Sequence, residues 1–185
     1  MKDPIKFGTD GWRAIIAEEF TFENVRRAAQ ATAEYFKTVE GREPAVFVGF
    51  DVRFQSSAFA RAAAEVIAAN GFRVVMLDRP YPTPYVSFEV RRRNFVGGIM
   101  ITASHNPPAF NGFKVKAHFG GSATPAITAR IEENLGRANV VAGVSPRLIE
   151  QIAPEPFYFE HLKSLVDWPR IANSKLKIVV DSMHG

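Results

Sequence analysis

The chain has 185 residues, with 23 basic and 19 acidic side chains for a formal net charge of +4, and 46% of its residues are hydrophobic. A chain of this length buries roughly 70% of its unfolded surface, so one domain, or one domain with a fragment of another, is expected. The absence of cysteine excludes disulfides, zinc-thiolate sites and thiol catalysis. The mild positive charge suits a small phosphorylated ligand and is too weak to argue for nucleic acid. No apolar leader opens the chain and no run of about 18 apolar residues occurs, so a soluble cytoplasmic protein with no membrane partner is expected.

In chain order, F-G-T-D-G-W-R (Phe7 to Arg13) is a glycine-bearing segment that precedes the first helix. Phe22, Val25, Ala29, Thr32, Phe36 and Val39 fall at steps of three and four, with Thr21 as N-cap and Gly41 past the end, which predicts an amphipathic helix. Ala45 to Phe50 reads as a strand, Ser56 and Ser57 as caps of an alanine-rich helix ending at Asn70-Gly71, and Phe72 to Leu77 as a second strand, together a βαβ unit. Pro82-Thr83-Pro84 opens another helix towards Arg91, Arg92 and Arg93, and Val96 to Thr102 is apolar enough for an interior strand. The arginine run reads as a solvated helix end complementing the dipole. Asn111-Gly112 is a two-residue turn signal, so Phe113 to His118 is expected to fold back as an edge strand with Lys114 and Lys116 on one face. Pro125 to Gly136 reads as a helix, Asn139 to Pro156 as a punctuated connection, Phe157 to Val166 as a helix and Lys175 to Asp181 as a strand. The fold class is therefore α/β, a mainly parallel, mixed sheet with helices on both faces.

In such sheets ligands gather beyond the carboxyl ends of the strands. Three groups fall there: Asp51 with Arg53, which read as a structural ion pair, Asp78 with Arg79, and the loop Thr102 to Asn106. Ser104 stands in T-A-S-H-N-P-P, where Pro107 and Pro108 restrict the backbone before any ligand arrives. It lies in no G-x-S-x-G elbow, which sets aside the common hydrolase template. A serine hydroxyl flanked by His105, with Lys114 and Arg13 as cationic partners, suits phosphoryl transfer, in which positioning and charge neutralisation dominate. Read alone, the same loop is also a plain Ser/Asn/Pro turn. His118 and His161 receive no role.

Four segments, F-G-T-D-G-W-R, D-V-R-F-Q-S-S (51 to 57), Y-P-T-P (81 to 84) and T-A-S-H-N-P-P-A-F-N-G-F-K (102 to 114), resemble the α-D-phosphohexomutases, the phosphoglucomutase and phosphomannomutase family. The resemblance implies that Ser104 is carried as a phosphoserine. Arg13, His105 and Lys114 match positions of proton transfer and charge stabilisation, with Lys114 preferred as base and Arg13 and Lys114 also binding substrate. The implied reaction interconverts hexose 1-phosphates and 6-phosphates through a hexose 1,6-bisphosphate. T-A-S-H-N-P with Trp12 looks more like the glucose and mannose branches than the glucosamine one. Mg2+ would touch a Ser104 phosphate oxygen, its D-G-D-x-D-R carboxylates lying in a further domain that this sequence does not contain. V-V-D-S-M-H-G (179 to 185) resembles the start of that domain. Residues 1–150 are thus expected to form the phosphoserine domain and 151–185 a linker with the truncated start of the next. Hexose phosphates and the remaining domains are the implied partners, and the chain by itself is expected to lack turnover. The alternative is a stand-alone sugar-phosphate or phosphoprotein binding module.

Overall fold

The computed structural model describes residues 5–8, 11–137, 139–141 and 148–182. Two units separate, Met1–Ala153 and Pro154–Gly185. The first is built on a six-stranded sheet: β1 (Trp12–Ile15), β2 (Glu43–Phe50), β3 (Arg73–Leu77), β4 (Phe95–Ile101), β5 (Phe110–Ala117) and β6 (Ile149–Ile152), in the spatial order β1-β5-β4-β2-β3-β6. β2 pairs in parallel with β3 and β4, and β3 in parallel with β6, while β5 runs antiparallel to β1 and β4. Both expectations for the fold class, a mixed α/β sheet and a parallel centre, hold.

The helices of this unit are α1 (Phe22–Phe36), α2 (Ser56–Ala69), α3 (Thr83–Arg92) and α4 (Pro125–Leu135). Thr21 caps α1 by accepting from the Asn24 N–H at 3.2 Å. Val25, Ala28, Ala29, Thr32 and Phe36 form its buried stripe. Pro84 sits in the first turn of α3, where its missing N–H leaves no bond unmade. α1 packs on α2 and α4, and α3 packs on β2, β4 and β5. Gly97 abuts the Phe36 ring of α1, whereas Gly49 and Gly98 abut Val86 and Val90 of α3. Neighbouring Gly97 and Gly98 point to opposite faces of β4, so α1 and α3 cover opposite faces of the sheet. The connection β2-α2-β3 runs one way along the sheet and β3-α3-β4 returns across β2 on the other face, which gives both crossovers the same hand.

Several expectations are corrected. Ser56 does not cap α2: Gln55 is the N-cap, with φ 60°, and the Ser56 hydroxyl donates to Asp51 Oδ1 at 2.7 Å. Asn111-Gly112 is not a turn but lies inside β5, which is an interior strand because β1 pairs with its far side. A two-residue hairpin would need positive φ there, and neither residue has it. Instead the buried Asn111 amide donates to Ser56 Oγ at 3.0 Å and to the Phe54 carbonyl at 3.3 Å, and Gly112 lets the Thr102 carbonyl approach within 2.5 Å of where a Cβ would stand. The reversal is made by the serine loop itself. The arginine run is not merely solvated: Arg92 and Arg93 both bind the fully buried Glu89 carboxylate, at 2.8 and 2.5 Å. Within 139 to 156, β6 adds an edge to the sheet; residues 142–147 of that stretch lie outside the described residues.

The second unit holds α5 (Phe157–Ser164) and the short α6 (Trp168–Ala172), neither with a buried side chain. Lys175 to Asp181 is not a strand; Ile178, Val179 and Val180 are 72%, 94% and 83% exposed. An alternating apolar segment becomes a strand only when a neighbour takes its N–H and C=O groups. None does among the described residues. No helix among them is long and apolar enough to cross a membrane.

Gly97→Ala forces a methyl group to 2.4 Å from the Phe36 ring and 2.7 Å from the Lys116 carbonyl. A loss of about 1–3 kcal/mol in urea unfolding is expected. Asn111→Ala removes both bonds made by the buried amide and is expected to cost about 1–3 kcal/mol in the same measurement. Unchanged midpoints would contradict the packing and the network described.

Candidate active site at the carboxyl ends of β2 and β4

β2 and β4 are parallel neighbours whose onward connections diverge, so the crevice beyond their carboxyl ends is the switch point of the sheet. Pairing continues past the strands: the Asp51 N–H donates to the Ile101 carbonyl at 3.1 Å, which sets Asp51 beside the root of the serine loop. Ser104 stands exposed at the tip of that loop with φ 56°, a left-handed backbone uncommon for a residue with a Cβ. Its N–H donates to Thr102 Oγ1 at 3.0 Å, and the Asn106 N–H donates to the Ala103 carbonyl at 3.1 Å. His105, also exposed, places Nδ1 at 3.5 Å from Ser104 Oγ, an outer-limit contact that a bound group would tighten.

Arg13, on the edge strand β1, reaches the same loop: its Nη1 donates to Asn106 Oδ1 at 2.7 Å. Lys114 lies in β5 opposite Met100 and is 4% exposed. Gly11 makes this close packing possible, because a Cβ there would stand 3.0 Å from both Cα and Cγ of Lys114. Arg13 is registered with Gly112, two residues from Lys114, so both cations belong to one face of the sheet. The structure therefore gathers Ser104, His105, Asn106 and Arg13 at one loop and puts Lys114 on the face that Arg13 shares.

Asp51 and Arg53 form the ion pair expected of them, 3.5 Å between Arg53 Nε and Asp51 Oδ2. What the sequence did not reveal is where the rest of the guanidinium goes. Nη1 donates to the carbonyls of Pro107 (2.9 Å) and Phe110 (3.0 Å), and Nη2 to those of Ser104 (2.8 Å) and Asn106 (2.6 Å). The only signal pointing to it was the placement of D-V-R-F-Q-S-S directly after β2. Asp78 and Arg79, at the same edge of the sheet, instead bind one another at 2.8 Å, and the arginine hydrogen bond holds the Asp78 carboxyl below its ordinary pKa. As for a metal, no group of three His, Asp or Glu side chains suited to one gathers among the described residues, and Asp51 is already engaged by Arg53 and Ser56. These residues alone do not make the oxygen cage that a hard cation needs.

Known proteins share the sequence and fold of this chain. The family profile described as phosphoglucomutase/phosphomannomutase, alpha/beta/alpha domain I, matches residues 4–140. A phosphoglucomutase of Staphylococcus saprophyticus is 32% identical across 98% of this chain and 35% of its own length. A protein of Schizosaccharomyces pombe assigned as a phosphoribomutase is 41% identical across 73% of this chain and 24% of its own. The crystal structure of a protein assigned as a phosphomannomutase, from Thermus thermophilus, superposes with a TM-score of 0.83 at 39% identity, covering 93% of this chain and 38% of that one. The chain thus spans 24% to 38% of the length of these relatives. It belongs to the phosphoglucomutase/phosphomannomutase family and carries that family's α/β/α domain I.

Proposed function

We propose that this chain supplies the phosphoserine domain of a phosphohexomutase, with Ser104 as the phosphoryl carrier. The observation that carries the reading is an exposed serine at a left-handed turn over the sheet's switch point, on a loop that an arginine from another strand also grips. Residues 1–150 are the carrier domain, 151–185 lead towards a second one, and the work is cytoplasmic.

In the first half of the cycle the phosphoserine transfers its phosphoryl group to a free hydroxyl of a hexose phosphate. The P–O bond to Ser104 Oγ breaks, a P–O bond to the sugar oxygen forms, and the hydroxyl proton passes to a base. Lys114 is assigned as that base, with His105 at the serine as the other proton-transfer group. Arg13 neutralises charge on the transferring group, whose three equatorial oxygens carry most of it. The resulting hexose 1,6-bisphosphate turns round and returns its other phosphoryl group to Ser104. Mg2+, if bound, would supply charge neutralisation at a phosphate oxygen carried by Ser104, the one group of this chain that would contact it. Relatives named for glucose and ribose phosphates support the sugar-phosphate class.

The protein as encoded, treated with glucose 1,6-bisphosphate and examined by intact mass and peptide mapping, is expected to carry phosphate on Ser104. Ser104→Ala is expected to take none and to lose sugar-phosphate interconversion. Phosphate on another residue overturns the assignment, and hexose phosphate titrations unaltered by Ser104→Ala, with no label on the wild type, favour a binding module instead. The 185-residue chain by itself is expected to show no mutase turnover; ordinary turnover would refute this division of labour.

A further inference from the structure

We infer that Arg53 is a positioning residue for Ser104, holding the serine loop in its reactive conformation through four backbone carbonyls at once. This inference rests on the phosphoserine reading above and adds to it the part that makes the loop rigid. The side chain is 14% exposed, and its guanidinium bonds to the carbonyls of Ser104, Asn106, Pro107 and Phe110 at 2.6 to 3.0 Å, more than fifty positions away in the chain. Three of these oxygens, at Ser104, Asn106 and Pro107, lie between β4 and β5, and the fourth is on Phe110, the first residue of β5; the Pro107 carbonyl also accepts from the Phe110 N–H at 3.0 Å. A single planar group with five N–H donors is the one side chain that can serve them together.

Two consequences follow for the chemistry. Ser104 sits at φ 56°, a left-handed conformation that a residue with a Cβ adopts only where its surroundings offset the cost. Fixing the Ser104 carbonyl on Arg53 imposes it from one side, and the Thr102 hydroxyl accepting from the Ser104 N–H imposes it from the other. Secondly, the carbonyl dipoles at 104, 106, 107 and 110 end on a cation instead of facing a phosphoryl group of −1.5 to −2 charge, about the value for a phosphoserine at neutral pH. The 104–105 peptide is trans, so its N–H points away from Arg53. Arg53 and Arg13 also divide one residue between them: the first holds the Asn106 carbonyl, the second the Asn106 side chain.

The clamp is itself braced. Asp51 accepts from the Arg53 N–H at 3.0 Å and from Ser56 Oγ at 2.7 Å, and Ser56 Oγ accepts in turn from the Asn111 amide. Asn111 lies in β5, one residue past the Phe110 carbonyl that Arg53 holds. The network closes on itself, from the end of β2 through the first turn of α2 to the start of β5 and back to the loop.

The test compares Arg53→Met and Arg53→Lys with wild type in the protein as encoded, reading amide hydrogen exchange over residues 102–110 and the rate of Ser104 phosphorylation by glucose 1,6-bisphosphate. Arg53→Met is expected to raise exchange of the Ser104 and Asn106 amides at least tenfold while β2 and β3 keep wild-type protection. Phosphorylation is expected to slow on the order of 100-fold, the cost of about 1 Å of misplacement, with the KM for bisphosphate unchanged. Arg53→Lys keeps the charge but presents its donors from one point, so it is expected to recover less than a tenth of the lost rate; should the methionine variant not fold, the lysine variant carries the test. Wild-type exchange in the loop of either folded variant refutes the clamp. Faster exchange with an unchanged phosphorylation rate, or an effect confined to KM, refutes its role in positioning Ser104. If wild-type Ser104 takes no phosphate, the phosphoserine reading fails, and the exchange measurement still decides the clamp.

Discussion

A chain that leaves the interior of a sheet carries carbonyl oxygens which no longer have a neighbouring strand to donate to them, and burying or crowding such groups without donors is costly. In this protein the problem is concentrated where β4 turns back into β5, and one guanidinium answers it. Arg53 comes from the end of β2, the parallel neighbour of β4, and its bonds tie the loop to the sheet that launches it. The geometry of Ser104, the reach of Arg13 to Asn106 and the register in which β5 resumes all meet at this point.

The sheet brings the parts together because of the direction of its connections. With β2 and β4 adjacent and their continuations diverging, neither a helix nor another strand need cover the crevice at their carboxyl ends, and functional loops can occupy it. Close packing keeps the platform stiff. Gly49, Gly97 and Gly98 have no Cβ where α1 and α3 press on β2 and β4, so the helices sit directly against strand backbone and transmit little slack to the site. Phe47, Ile99 and Ile101 in the same two strands are fully buried.

The cations around the loop divide their tasks by what they bond. Arg53 is spent on backbone carbonyls and on Asp51, so its charge stabilises the loop more than it attracts a ligand. Arg13 binds the side-chain oxygen of Asn106 on the same loop. Lys114 is buried against Gly11, on the face of the sheet that Arg13 shares, and so lies beneath the loop rather than on it.

Much of the fold was legible in the sequence because helix and strand periodicities are local. The stripe of α1, its Thr21 cap, the proline start of α3 and the apolar run of β4 each follow from residues a few positions apart. Ser104 and His105 stood out as candidates in one short stretch, and the structure brings Arg13 to the same loop. Tertiary pairing decided the rest. Asn111-Gly112 has the composition of a hairpin turn, but a buried hydrogen bond to Ser56 and the close approach of Thr102 hold it extended inside β5. Lys175 to Asp181 has the pattern of a strand and is not one, because a ladder needs a neighbouring strand that local pattern cannot supply. Arg53 looked like half of an ordinary ion pair, and only the juxtaposition of β2 with a loop some fifty residues later gave its other four bonds a destination. The sequence by itself determined the main helices and the parallel strands and singled out Ser104, for these depend on near neighbours; which groups hold that serine in place was decided by the fold, because their partners meet only when the sheet is assembled.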